Sequence, residues 1–195
     1  MSESKATVAV IGGGAAGLTA ALFLARAGAT VHLFDQDRSI LKRARLTNLP
    51  GHDALEGRDL LAQLRAQLQL RSVTTHATKV DDVVPGHSFT VQTDEGSLVV
   101  DYVVLATGQG TLKLASLPLE TTDARQPFVK VNVVTDKWGA TSVPGVYACG
   151  VVAGWPSQAV ICAGSGANVA IEIASTFTGE FWVDHDDTLL SPDPE

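Results

Sequence analysis

Near the start of the chain, Gly12-Gly13-Gly14-Ala15-Ala16-Gly17 fits the pattern G-x-G-x-x-G, and Asp35 follows eighteen positions beyond its last glycine. Glycines at this spacing can bind phosphate without any charged side chain. Gly12 lets the chain turn tightly, Gly14 lets the backbone approach a pyrophosphate, and Gly17 lets a helix pack closely on a strand. The first-turn N–H groups of that helix carry partial positive charge and point at the same pyrophosphate. Asp35 stands where an acid accepts hydrogen bonds from the ribose hydroxyls of an adenosine. A glycine pattern alone is weak evidence, because a glycine-rich turn need bind nothing. Strand, turn, helix, strand and acid in register are specific for a dinucleotide, with FAD and NAD(P) both open from this stretch.

Other residues could carry chemistry. Cys149 and Cys162 are the only cysteines. They read as two small core residues, with a non-standard dithiol as the sharper alternative. Asp184-His185-Asp186-Asp187 has metal-binding residue types, but four adjacent residues in a tail rarely converge on one ion, so the expectation is solvated charge and no metal. Lys42, Arg43 and Arg45 form a basic stretch that either flanks the pyrophosphate or is solvated surface. Trp155 either shields a ring face of a ligand or packs at a domain edge or subunit contact.

The elements that must position these residues follow from periodicity. Val8 to Ile11 is a short β-branched run, hence a buried strand. Ala15 to Ala27 is a strong helix former closed by Gly28, and residues 30–34 form a second strand. Residues 55–70 are amphipathic, with Leu60, Leu61, Leu64 and Leu68 expected in the core. Residues 72–100 break into short β-prone pieces (73–75, 79–84, 89–93 and 97–100) separated by turns, predicting a small antiparallel meander. Residues 102–106 read as a strand buried on both faces, as in a parallel sheet. A loop is expected over 109–127, β-structure over 129–135 and a last strand over 146–148. Residues 157–176 read as a helix despite Gly164 and Gly166, which cost about 1 kcal/mol each relative to alanine. Close approach to another backbone or to a ligand would justify them.

The 195 residues, 45% hydrophobic, can bury a real core, and one domain is the natural expectation. Net charge is −7 with scattered acids and no basic stripe, which argues against nucleic acid or an anionic membrane as partner. No apolar run is expected to cross a bilayer, and residues 1–5 are too short and polar for a signal peptide. A cytoplasmic protein without a disulfide framework is expected.

Three separated segments resemble one family: Gly12 to Gly17 with Asp35; Val103-Val104-Leu105-Ala106-Thr107-Gly108; and 141–150 followed by Gln158-Ala159 and 163–166. Together they are similar to the FAD domain of low-molecular-weight thioredoxin reductases, within the pyridine nucleotide-disulfide oxidoreductase superfamily. Asn48-Leu49-Pro50-Gly51 and Gly57-Arg58-Asp59-Leu60 match that family's N-x-P-G and following helix, and the likeness runs from the first strand to Trp182. The resemblance implies an α/β, Rossmann-like FAD-binding fold, with a central parallel sheet and a small antiparallel β-meander. Residues 1–195 would be a single FAD-binding domain, with 183–195 a flexible tail. The family inserts an NADPH domain after A-T-G, whereas here only 33 positions separate Gly108 from Thr141, without a second complete glycine pattern or a C-x-x-C. The resemblance is therefore to the FAD domain without its NADPH domain.

The resemblance also implies site residues. Gly12, Gly14, Ala15 and Ala16 would lie against the FAD pyrophosphate, Asp35 and Gln36 against the adenosine, and Val80 beside the adenine. Thr107 and Gly108 would pass the diphosphate and ribityl side, Gly150 and Val151 are further cofactor-binding positions, and Asn48 would approach the flavin ring. Gln158 and Ala159 begin the helix whose N-terminus would face the flavin N1–C2=O edge and stabilise negative charge there. Where the family reads G-D, this chain has Gly150-Val151. Valine cannot accept the ribityl hydrogen bond, a loss of about 1 kcal/mol net, so binding survives or the site has drifted from catalysis. The expected function is a FAD-dependent oxidoreductase whose electrons come from NAD(P)H, a redox partner protein or a small reductant. A non-catalytic FAD-binding sensor, scaffold or subunit is the alternative. No side chain stands out as a general acid or base, so no catalytic residue is assigned, and the family's pairing implies a homodimer.

Overall fold

The computed structural model describes residues 6–71, 73–109 and 114–185. In chain order the strands are β1 (Thr7–Ile11), β2 (Thr30–Phe34), β3 (Arg45–Leu46), β4 (Leu55–Glu56), β5 (Val73–His76), β6 (Val80–Val84), β7 (Phe89–Thr93), β8 (Gly96–Val100), β9 (Tyr102–Leu105), β10 (Thr121–Asp123), β11 (Val131–Val133) and β12 (Val146–Ala148). The helices are α1 (Ala15–Arg26), α2 (Gly57–Gln69) and α3 (Ala159–Thr178), with 3₁₀ turns at Ile40–Arg43 and Gly150–Ala153.

Five strands form a parallel sheet in the order β12-β9-β1-β2-β5. Alternation along β1 divides the core into two layers. Val8 and Val10 join Leu18, Leu24, Leu61 and Ile173 on the helical side, and Ala9 and Ile11 join Val83, Val91 and Phe89 on the side covered by the β6-β7-β8 meander. Each fully buried aliphatic side chain contributes about 1.5–3 kcal/mol relative to exposure. The sheet runs from β1 to β2 and β5 in one direction and to β9 and β12 in the other. Such a reversal opens a crevice at the carboxyl ends of β1 and β9, the usual ligand position in this architecture.

The two helices on that crevice cross closely. A Cβ on Gly17 would lie 1.8 Å from the Gly12 carbonyl oxygen, so α1 could not seat against the turn with any other residue there. A Cβ on Gly166 would lie 2.1 Å from the Ala16 carbonyl oxygen, whereas nothing lies within 4 Å of one on Gly164. Backbone approach therefore explains Gly166, and Gly164 faces open space.

Several expectations need correction. Val73–His76 is not part of the meander but the edge strand of the parallel sheet, paired with β2. β-Propensity marks a strand without naming its partner. The expected loop over 109–127 contains β10, which pairs antiparallel with β11. The second helix starts at Gly57, because Leu55 and Glu56 pair with Arg45 and Leu46. Leu61 and Leu68 are buried in its core face, but Leu60 and Leu64 are only partly so. α3 has 20 residues, spans about 30 Å, and is long and apolar enough by length and composition to cross a membrane, contrary to expectation. Its Gly166, Val169, Ala170 and Ile173 are buried, and the helix packs mainly on α1. Asp184 is not solvated: its side chain is 12% exposed and ion-paired to Arg26 at 2.5 Å, while Trp182 packs edge-on against Phe23. Asp186 and Asp187 lie outside the described residues, among which no group of three His, Cys, Asp or Glu could hold a metal.

Candidate functional site

Gly12 adopts φ +116°, a conformation L side chains rarely take, and a Cβ there would lie 2.3 Å from the Ala106 carbonyl oxygen. The turn at the end of β1 is therefore pressed against the end of β9. α1 then starts after Gly14, which gives it no side-chain cap, so its first-turn N–H groups are free for a ligand. Gly14 is open: only the Ser39 hydroxyl would come near a Cβ there, at 3.5 Å.

These parts form one wall of an apolar cleft of about 160 Å³ at the switch point. Gly14, Ala15 and Ala16 supply that wall, and Ala106, Gly108 and Gln109 a second. Cys149, Gly150 and Val151 close the floor, while Ser157, Ala159 and Cys162 bring in the start of α3. The remaining side is Ser39, Ile40, Leu41 and Ala44. The Gly150 segment is held from both sides: Gly150 N–H donates to Ser165 Oγ at 2.9 Å, and Asn132 Nδ2 donates to the Val151 carbonyl at 2.8 Å.

Of the residues expected from the sequence, Gly14, Ala15, Ala16, Gly108, Gly150, Val151 and Ala159 line this cleft. Gly12 shapes it without lining it. Thr107 follows Ala106, and its buried hydroxyl has no partner among the described residues. Asn48 and Gln158, expected near one ring from opposite ends of the chain, meet directly: Asn48 Nδ2 donates to Gln158 Oε1 at 2.8 Å. Gln158 does not cap α3 with its side chain, so that helix also presents free N–H groups. Asp35 is buried against the glycine turn, Gln36 is exposed, and Val80 is buried among the meander residues rather than in the cleft.

Sequence reasoning missed the wall at 39–44, although Ile40-Leu41 is an apolar pair in an otherwise polar stretch. The basic stretch around it does not line the cleft. Lys42 is paired with the Asp37 carboxylate, and Arg43 and Arg45 are exposed. Trp155 is outside the cleft as well, 42% exposed, with its carbonyl accepting from Gln126 Nε2 at 2.8 Å. Both cysteines are free thiols on the cleft. Burial, with a smaller contribution from Cys162, pushes the Cys149 thiol up to about 12, and burial also raises Cys162. Cys162 Sγ donates weakly to the Pro156 carbonyl at 3.6 Å. Both stay protonated near neutral pH, the inert state of packed thiols.

The cleft suits a dinucleotide on its own evidence. It offers two uncapped helix N-termini, an open glycine at the first of them, and an orphaned hydroxyl at Thr107. It lines none of its walls with a charged side chain, so an anion there would be held by helix termini.

Comparison with known proteins agrees with this architecture. No curated protein matches the chain. Among solved structures, a thioredoxin reductase from Gloeobacter violaceus superposes with a TM-score of 0.77 at 18% identity, covering 94% of this chain and 99% of that one. An oxidoreductase from Agrobacterium tumefaciens also gives 0.77, at 17% identity, covering 91% and 100%. A ferredoxin-flavin thioredoxin reductase from Clostridium acetobutylicum gives 0.72 at 17% identity, covering 90% and 98%. At these identities the likeness establishes the fold, which is the Rossmann-like FAD fold of thioredoxin reductases. The model of the pyridine nucleotide-disulphide oxidoreductase family matches residues 6–127, more than half of the chain, and the protein belongs to that family.

Proposed function

We propose that this chain is a FAD-binding flavoprotein, an oxidoreductase that receives electrons from a donor outside its own fold. The observation that carries the reading is the convergence of the uncapped starts of α1 and α3 on one cleft at the switch point of the sheet. Bound FAD supplies two-electron redox chemistry, and the protein's part is to bind, orient and tune it. On this reading, Gly12, Gly14, Ala15 and Ala16 receive the pyrophosphate. Thr107, Gly108 and Gly150 border the ribityl side, and Asp35 with Gln36 takes the adenosine. The start of α3, with Gln158 and Asn48 beside it, stabilises negative charge at the flavin edge. The donor is NAD(P)H, a redox partner protein or a small reductant, and the protein acts as a cytoplasmic homodimer.

One observation favours a second reading, a FAD-binding module without turnover. Val151 lines the cleft where the family's aspartate would accept a ribityl hydroxyl. Anaerobic titration separates the two. Protein purified with FAD bound is expected to be yellow and to bleach on addition of NADH, NADPH or a reduced partner. Flavin that none of these donors reduces favours the module. Colourless protein that cannot be reconstituted with FAD refutes both readings.

A further inference from the structure

The acid at the end of β2 is held by a helix that the glycine motif does not include. Asp35 is buried, with its side chain 6% exposed. Its carboxylate lies over the glycine turn, where a Cβ on Gly13 would fall 1.9 Å from Asp35 Cγ. Oδ1 accepts the backbone N–H of Asp37 at 2.8 Å, and Asp37 takes a left-handed φ of 58° to present it. Oδ2 accepts from Arg65 Nη2 at 2.8 Å, and the same nitrogen reaches Asp37 Oδ1 at 2.8 Å. Arg65 sits on the third turn from the start of α2 and is partly buried. Lys42 pairs with the other oxygen of Asp37. Two carboxylates and two cations thus form one chain of contacts beside the glycine turn.

The consequence follows from counting acceptors. A carboxylate has about four lone-pair sites. The Asp37 amide and Arg65 each take one, leaving one on each oxygen for ribose hydroxyls. A buried carboxylate without a charged partner is strongly disfavoured and turns toward water. The planar guanidinium fixes the direction of the Nη2 N–H bonds that reach Asp35 and Asp37, which a freely rotating ammonium does not do equally well.

We infer that Arg65 is a positioning residue for the adenosine end of the cofactor: it holds the Asp35 carboxylate over Gly13 so that the ribose hydroxyls meet fixed acceptors. The inference rests on the FAD reading above. It accounts for a partly buried arginine on an otherwise ordinary surface helix. It also assigns part of the ligand's selectivity to α2.

The test measures affinity by flavin fluorescence for FAD and for its 2′-deoxyadenosine analogue. The proteins are the wild type, Arg65→Met, Arg65→Lys, Asp35→Asn and the double variant Asp35→Asn/Arg65→Met. The wild type is expected to prefer FAD over the analogue by about tenfold, as for a hydrogen bond to a charged group. Arg65→Met is expected to weaken FAD by about tenfold and to lose that preference. Arg65→Lys should recover part of both, and it carries the test if the methionine variant does not fold. In the Asp35→Asn background, Arg65→Met should add little. Full discrimination in Arg65→Met, or losses that multiply in the double variant, overturns the assignment while leaving FAD binding intact. A wild type that binds neither ligand overturns the FAD reading itself.

Discussion

Gly164 and Gly166 lie two residues apart in α3, and alanine at each is expected to move stability in opposite directions. Both substitutions gain about 0.8–1.0 kcal/mol of helix propensity. At Gly164 nothing lies within 4 Å of the added Cβ, so that gain stands alone. At Gly166 the Cβ would lie 2.1 Å from the Ala16 carbonyl oxygen, 2.9 Å from its carbon and 3.1 Å from its Cα. Restoring a contact of about 3.5 Å requires α1 and α3 to part by about 1.4 Å, and the obstacle is backbone, which has no rotamer to change. Overpacking costs about 1–3 kcal/mol and occasionally more, and the rigid obstacle puts this case at or above the top of that range. The net expectation for Gly166→Ala is a loss of about 2 kcal/mol. For a chain of this length, about 2–4 °C of Tm accompany each kcal/mol. Gly166→Ala should therefore melt about 4–8 °C lower and Gly164→Ala about 2–4 °C higher, by circular dichroism with urea melts as a check. Because α1 presents the cleft's N–H groups, Gly166→Ala should also weaken FAD more than Gly164→Ala does. A Gly166→Ala protein as stable as the wild type would refute the close crossing.

Two further outcomes follow from the titrating groups. His32 Nδ1 lies 3.0 Å from His76 Nε2, and burial, then repulsion from His76, hold His32 below its ordinary value of 6.5. The folded state then binds this proton less readily than the unfolded state. The associated stability is complete above about pH 6.5 and is lost as pH falls through the folded value. Urea midpoints should drop between pH 7.5 and pH 5.5, with a shallower drop in His32→Gln; an unchanged slope in that variant would remove His32 as its source. For the thiols, a Cys149 pKa of about 12 leaves on the order of one thiolate in ten thousand at pH 8. Iodoacetamide should label native Cys149 far more slowly than the unfolded chain, with the partly exposed Cys162 ahead of it, and prompt labelling of Cys149 would contradict its burial.

What the sequence determined by itself is the first strand–turn–helix–strand unit and the apolar strand at residues 102–105. These are written locally: the glycines at fixed spacing set a tight turn between strand and helix, and a short apolar run rich in β-branched residues, bounded by turns, favours a buried strand. Meeting points between distant segments are not written that way. The hydrophobic pattern of Val73–His76 marks a strand, but only its pairing with β2 made it an edge of the parallel sheet. Gly164 and Gly166 look alike in sequence, and only the crossing with α1 separated them. Arg65 reads as one more polar position on an amphipathic helix until α2 packs against α1 and the turn at Ile40–Arg43 and brings it to Asp35. Ile40, Leu41 and the two cysteines became walls of one cleft only when the chain closed around the switch point. Periodicity records which face of an element is apolar. Which element covers that face, and which side chains then meet, depends on long-range packing that only the tertiary structure decides.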